Sequence, residues 1–202
     1  MKIGHTNIKK ATVYEHTEPV ILSHPHIPKP LHGLNPRTIK GTAWWDRERR
    51  KAYASTNYHC LACGIHKTDA LIKPWLEAHE FYRIDYPKGI VTIERIVPLC
   101  HMCHRFIHSG NLLNDYFKGI VKQAQMVQIL THGVRILEKN NLEGFAFTID
   151  LADQFKIKHT VKPYSFAGHG VKWGDWKLVF DGVEYPSKFK DVSEWHDHYM
   201  VY

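Results

Sequence analysis

Between Cys60 and His108 the chain reads CLACGIHKTDALIKPWLEAHEFYRIDYPKGIVTIERIVPLCHMCHRFIH. All 4 cysteines of the protein fall inside this stretch, as Cys60-x-x-Cys63 and Cys100-x-x-Cys103, with 36 residues between the pairs. A CxxC knuckle turns tightly enough to present two thiolates to one ion, and two knuckles complete a tetrahedron. In a reducing compartment such pairs bind zinc far more often than they close disulfides. Gly64 follows the first knuckle directly and helps backbone amides point at the sulfurs. The spacing predicts a structural Zn2+ held by Cys60, Cys63, Cys100 and Cys103.

Between the knuckles the alternation from Trp75 to Glu80 predicts a strand with Trp75, Glu77 and His79 on one face. Tyr86-Pro87-Lys88-Gly89 predicts a turn into a second strand, IVTIERIV, which Pro98 stops before the second knuckle. CHRFIHSG reads as a helix start, with His104 and His108 four residues apart and so on one face.

Knuckle, strand ending in His, turn, strand, knuckle, helix with His: this order resembles the HNH nucleases that carry a four-cysteine zinc site. The likeness covers about a quarter of the chain. Asn35-Pro36-Arg37 and the WWD and RR of Trp44 to Arg50 extend it upstream, toward HNH-like sequences of undefined activity. It implies a ββα-metal core in which two strands and a helix grip a catalytic Mg2+ or Mn2+. The family's metal-binding first position falls on His79, its general-base position on Glu80 and the apolar position on Phe81. The helix histidine falls on His104, and His108 is a further ligand or phosphate contact.

The sequence departs from the family twice. The base position carries Glu80 instead of histidine, and Arg95 stands where the family has an asparagine that orients the first-motif loop. A glutamate with pKa about 4.3 is a weaker base than histidine unless burial raises it. Glu80 could instead join the metal ligands, and Arg95 could stabilise developing phosphate charge through its planar fork. A second register, with His79 as the base and Ala78 at the ligand position, stays open.

Working outward, the net charge of +7 is concentrated at the N-terminal end, where residues 1–60 hold 10 Lys/Arg against 4 Asp/Glu. Such an excess suits a polyanion, because neutralised phosphates release counterions. Residues 1–41 carry 5 of the 10 prolines and predict an extended arm over the body. The histidines there (His5, His16, His24, His26 and His32) have no role in this reading. Thr42 is placed to cap a helix that carries Arg47, Arg49, Arg50 and Lys51 as phosphate contacts, with Asp46 and Arg50 spaced i,i+4. On that helix Trp44 and Trp45 read as core anchors.

Residues 111–202 balance 11 cations with 11 anions. Helical spacing covers 112–140, with Gly119 and Gly133 as breaks. Residues 150–175, with Gly168, Gly170 and Gly174, suggest loops. WKLVFDGVEY is a hairpin turning at Asp181-Gly182, and Asp191 to Glu194 offers a capping box for a last helix. This region could serve a homodimer or a protein partner. No apolar run reaches the roughly 20 residues that span a bilayer, and MKIGHTNIKK lacks the apolar segment of a secretory signal, so a cytoplasmic, intracellular protein is expected.

The fold expected is thus α+β: an arm (1–41), a zinc-stapled HNH-like ββα-metal domain (42–110), and a C-terminal helical region with a small α/β appendage (111–202). Two functions compete. One is a metal-dependent endonuclease that hydrolyses phosphodiester bonds in DNA, with double-stranded DNA as partner. The other is a catalytically impaired zinc module that binds nucleic acid or protein.

Overall fold

The computed structural model describes residues 14–166 and 170–199; His5 and Gly168 lie outside them. Among these residues the chain is mixed α+β. Helices α1 (Pro36–Lys40) and α2 (Thr42–Ser55) precede strands β1 (Leu76–Asp85) and β2 (Ile90–Cys100). Helices α3 (His101–Ile107), α4 (Ser109–Phe117) and α5 (Gln123–Lys139) follow. Then come β3 (Gly144–Phe145), α6 (Ala146–Gln154), β4 (Pro163–Tyr164), β5 (Lys177–Phe180), β6 (Val183–Pro186) and α7 (Val192–Tyr199).

Four strands form one sheet in the order β1-β2-β5-β6, so β1 is an edge. The turn at Asp181-Gly182 closes the expected hairpin, both residues having positive φ. That hairpin adds to the central sheet, because β5 runs parallel to the start of β2, pairing Val91 with Leu178.

The β1/β2 register shifts between Phe81 and Tyr82: Phe81 pairs with Arg95, Tyr82 with Ile93, and Glu94 is skipped. One extra residue flips every following side chain to the other face. Val97 and Leu99 therefore join a core with Phe106 and Leu130. Val91 and Ile93 join a second one with Leu31, Tyr82, Leu178 and Phe180. Glu77, His79 and Phe81, opposite Leu99, Val97 and Arg95, share the face of the first core.

Several local expectations are corrected. Gly41, at φ +83°, holds the N-cap of α2, and Thr42 is the first residue inside it without a side-chain cap. Asp46 pairs with Arg49 at 2.7 Å, not with Arg50. Pro98 does not stop β2, which runs on to Cys100. At that point β2 has β1 as its neighbour on one side while β5 reaches only Ile90 to Thr92, so the missing N–H of proline costs no ladder bond. Trp75 lies just outside β1 and is half exposed. Gly119 does separate α4 from α5, but Gly133 sits inside α5. A Cβ there would lie 2.1 Å from a Phe106 ring carbon, so this glycine lets α5 close on α3.

The arm enters both cores: Ile21 and Leu22 pack in the first and Leu31 in the second. Asn35 and Thr38 form a reciprocal capping box at α1, with Pro36 in the first turn. Trp44 anchors α2 edge-on against Phe180, with ring centroids 5.4 Å apart. At α7, Asp191 accepts from the Ser193 and Glu194 backbone N–H groups, and the Lys190 N–H donates back to Glu194.

Candidate metal centres

The two CxxC segments meet because the first is tied to the end of β2. The Leu61 N–H donates to the Pro98 carbonyl at 2.9 Å. Within the knuckle the Gly64 N–H donates to the Cys60 carbonyl and the Cys60 N–H to that of Ile65, both at 2.8 Å, with Gly64 at φ +74°. Cys60, Cys63, Cys100 and Cys103 place one sulfur each within 4.8 Å of the others.

The Cys63 and Cys100 sulfurs stand 3.8 Å apart. A tetrahedron with Zn–S bonds of about 2.3 Å has an edge of about 3.8 Å, so the spacing fits one ion. Charge agrees with geometry. Burial pushes the Cys60 and Cys103 thiols up, whereas hydrogen bonds from Cys103, Cys60 and Cys63 pull the Cys100 thiol far down. Four thiolates need a dication to share that space, and the cluster could hold a metal ion such as zinc.

Sequence reasoning missed His132, from α5, whose Nε2 lies 3.3 Å from Cys103 Sγ. Burial alone would lower this imidazole, but hydrogen bonds to Cys100 and Cys63 raise it to about 9. An imidazole N–H facing a thiolate is the outer-shell contact metal ligands commonly keep.

A second cluster lies where α3 crosses β1. His79, His104 and His108 place one nitrogen each within 4.8 Å of the others. Ring centroids are 5.6 Å apart for His79 and His104, 5.0 Å for His79 and His108, and 4.6 Å for the two helix histidines. The four-residue helical spacing sets the last of these. His79 Nδ1 and His108 Nε2 face each other at 3.2 Å. Metal–nitrogen bonds of about 2.0–2.1 Å put neighbouring ligand nitrogens about 2.8–3.4 Å apart, so the 3.2 Å separation fits a shared divalent ion. His79 is 1% exposed, and its Nε2 is buried without a hydrogen-bond partner. Burial first, then the neighbouring His108 and His104, lowers its proton affinity, keeping the ring neutral as a ligand must be.

Glu77 orients this cluster from behind. Its carboxylate lies 2.6 Å from His104 Nδ1 and 2.8 Å from His101 Nδ1, leaving Nε2 of His104 for the cluster. Burial alone would raise the Glu77 carboxyl, but the hydrogen bonds from His101 and His104 hold it well below the usual carboxylate range. A carboxylate behind a ligating imidazole fixes its tautomer and angle. The strand period had put Glu77 on the face of His79, and that was the signal that could have found it.

Glu80 borders the same cavity as His79 and His108. An edge strand is open on one side, so the cavity can reach both faces of β1. Burial raises the Glu80 carboxyl above its ordinary value. Arg95 is placed elsewhere. Its guanidinium is paired with Glu18 through both carboxylate oxygens, stands 4.7 Å from the Phe81 ring centroid and does not line this cavity. Arg47, Arg49, Arg50 and Lys51 are on α2, also away from the cavity. Arg47 and Lys51 pair with Glu48, Arg49 pairs with Asp46, and Arg50 is exposed.

The arm histidines also have places in this region. His24 packs on Phe81 and Tyr82 with ring centroids 4.7 and 4.8 Å away. His26 Nε2 lies 3.0 Å from the Ser109 hydroxyl, which is itself 2.7 Å from that of Thr148.

No family model, curated protein or solved structure matches the chain. Among the described residues no helix is long and apolar enough to cross a membrane.

Proposed function

We propose that the protein is a divalent-metal-dependent nuclease of HNH type, hydrolysing phosphodiester bonds in DNA, with a structural zinc at the four cysteines. One observation carries this reading: His79 of β1, His104 of α3 and His108 just past its end converge at single-ion spacing, two of them, His79 and His108, lining an open cavity while a carboxylate fixes His104. Three protein ligands leave coordination positions for substrate and water, as catalytic sites do and closed structural sites do not.

His79, His104 and His108 would hold a divalent ion, their all-imidazole set suiting a transition-metal ion such as Mn2+ better than the oxygen-seeking Mg2+. Such an ion, when bound, would neutralise charge developing on the scissile phosphate and its leaving oxygen. The chain's own contribution is positional. Glu77 holds the His104 ring, burial keeps His79 neutral, and Glu80 at the cavity wall accepts the proton of the attacking water. Its raised proton affinity brings it nearer to what a base at neutral pH requires. Arg95, closed onto Glu18, takes no part in this scheme.

The test is nicking of supercoiled plasmid by the purified protein with added Mg2+ or Mn2+, repeated with His104→Ala. Cleavage by the wild type and its loss in the variant are expected. No cleavage across metals and substrates rejects the reading.

A non-catalytic zinc module that binds nucleic acid is favoured by the Arg95–Glu18 pair, which occupies the one cation that could serve a transition state from β2. On that reading no second ion binds at the histidines.

A further inference from the structure

Beside His79 and His108 the cavity extends to about 710 Å³, within the roughly 300–1,000 Å³ typical of ligand clefts. Its floor is formed by His79, His108 and Glu80. One wall is aromatic: Tyr199 of α7, 43% exposed, stands 5.5 Å between ring centroids from Trp195, which is buried behind it and 5.6 Å from His32. These rings are held in place. Trp195 Nε1 donates to His32 Nδ1 at 3.2 Å, and Lys29 Nζ sits 4.6 Å from the Trp195 ring centroid. Across the cavity Phe147, 39% exposed, packs against His26 at 5.0 Å. Asn111 and Asn114, three residues apart on α4, add exposed amides to the rim.

Flat apolar faces, amides able to donate and accept, a lysine beside them and a floor suited to a divalent ion correspond to one kind of ligand. It has a planar heteroaromatic part, hydrogen-bonding edges and an attached phosphate. We infer that the cavity receives one nucleotide of a nucleic-acid strand with its base turned out of the stack, so that the substrate is single-stranded or locally unpaired. This rests on the nuclease reading for the role of the floor, whereas the aromatic walls stand independently of it. A cavity of this size holds a nucleotide and not a segment of duplex. Unstacking a base costs least where the strand is already unpaired.

Binding is measured by fluorescence anisotropy with zinc-loaded, full-length protein and no added Mg2+ or Mn2+. The probes are a labelled single-stranded oligonucleotide, the same sequence as a duplex, and a series in which each position in turn is abasic. The single strand is expected to bind at least about tenfold more tightly than the duplex. One abasic position should weaken binding by about 5- to 100-fold, the range of a lost base–aromatic stack. Phe147→Ala, at an exposed ring, should match that loss and add nothing on the abasic strand. Tyr199→Ala, at a ring 43% exposed, should act likewise.

Uniform response to the abasic series, or tighter binding of duplex with Phe147→Ala unchanged, overturns the inference. Metal-dependent plasmid cleavage lost in His104→Ala would survive that result and keep the nuclease reading. Base-dependent binding without metal-dependent cleavage would do the reverse. Displacement by a free mononucleotide at the oligonucleotide's own affinity would make a small nucleotide the ligand and overturn the strand assignment.

Discussion

The cysteine cluster and the histidine cluster share their framework. α3 supplies Cys103 to one and His104 to the other, and the β1/β2 hairpin supplies Cys100 and His79. They differ in closure. Three of the cysteines are at most 3% exposed, and the fourth sits among them with no coordination position left over. The histidines offer three nitrogens, and two of them, His79 and His108, border a cavity. A closed tetrahedral set stores folding energy, whereas an open set of three exchanges ligands. One short helix therefore gives adjacent residues, Cys103 and His104, to a closed thiolate cluster and to an open imidazole cluster.

The sharpest way to break this comparison is to open the closed site. Cys100→Ser should reduce zinc from one ion per chain to none and abolish cooperative unfolding. Apparent zinc affinities in small domains reach about 10–16 kcal/mol, as large as a whole domain's stability of about 5–15 kcal/mol. Metal analysis with calorimetry reads both. A cooperative transition that survives without zinc would mean that the core around Phe106 and Leu130 carries the fold by itself.

His104→Ala addresses the other side. It should cut Mn2+ affinity by more than the roughly 10- to 100-fold typical of outer-shell changes, while the bound zinc stays at one. Isothermal titration with a parallel zinc assay measures the contrast. Loss of both ions together would show that the two clusters are one cooperative unit.

How much of this was legible in the sequence follows from the range of each contact. The cysteine knuckles are local patterns, so their spacing named all four members of the cluster. His104 and His108 were legible for the same reason, a helical interval. His79 joined them only through the resemblance, because a strand residue 25 positions upstream of His104 carries no local sign of its partner. The two cores were hidden because skipping Glu94 breaks the period of two on which strand reading depends. The prolines of the arm suggested surface wrapping, and burial of Ile21 and Leu31 is decided by what they pack against. Arg95 looked free until Glu18, 77 residues away, closed on it.

Glu77→Gln sharpens the comparison without removing a ligand. The amide can no longer accept from His101 and His104 as a carboxylate does, so ion affinity at the histidines should fall by about 10- to 100-fold. Zinc at the cysteines should not change. Mn2+ titration of the variant checks this, and unchanged affinity would mean that Glu77 serves folding only.

A smaller effect belongs to His26, which joins the arm to Ser109 near the histidine cluster. Burial first, with the charge of His32, lowers its pKa to about 4, against about 6.5 in the unfolded chain. Between those values the unfolded chain binds the extra proton, so this histidine's stability contribution is full above about 6.5 and lost as pH falls toward 4. Over the first pH unit the loss is on the order of 1 kcal/mol, or about 2–4 °C for a chain of this size. Comparing melting temperatures of wild type and His26→Gln at pH 7 and pH 5 isolates it. The wild type should lose more on acidification, and equal losses would assign the acid sensitivity to other groups.

The least effect is expected where an imidazole touches the closed site from outside. Gly133 lets α5 approach Phe106 and so brings the neighbouring His132 within 3.3 Å of Cys103 Sγ. Removing that imidazole takes away one hydrogen bond to a thiolate but none of the four ligands. His132→Ala should therefore speed zinc loss to a chelator by up to about tenfold, the low end of outer-shell effects. Mn2+ binding at the histidines should be untouched, since α5 supplies nothing to that cluster. A colorimetric chelator assay gives the rate. If the variant instead weakened Mn2+ binding and left zinc release alone, the division between a sealed thiolate site and an exchangeable imidazole site would have to be redrawn through α3 itself.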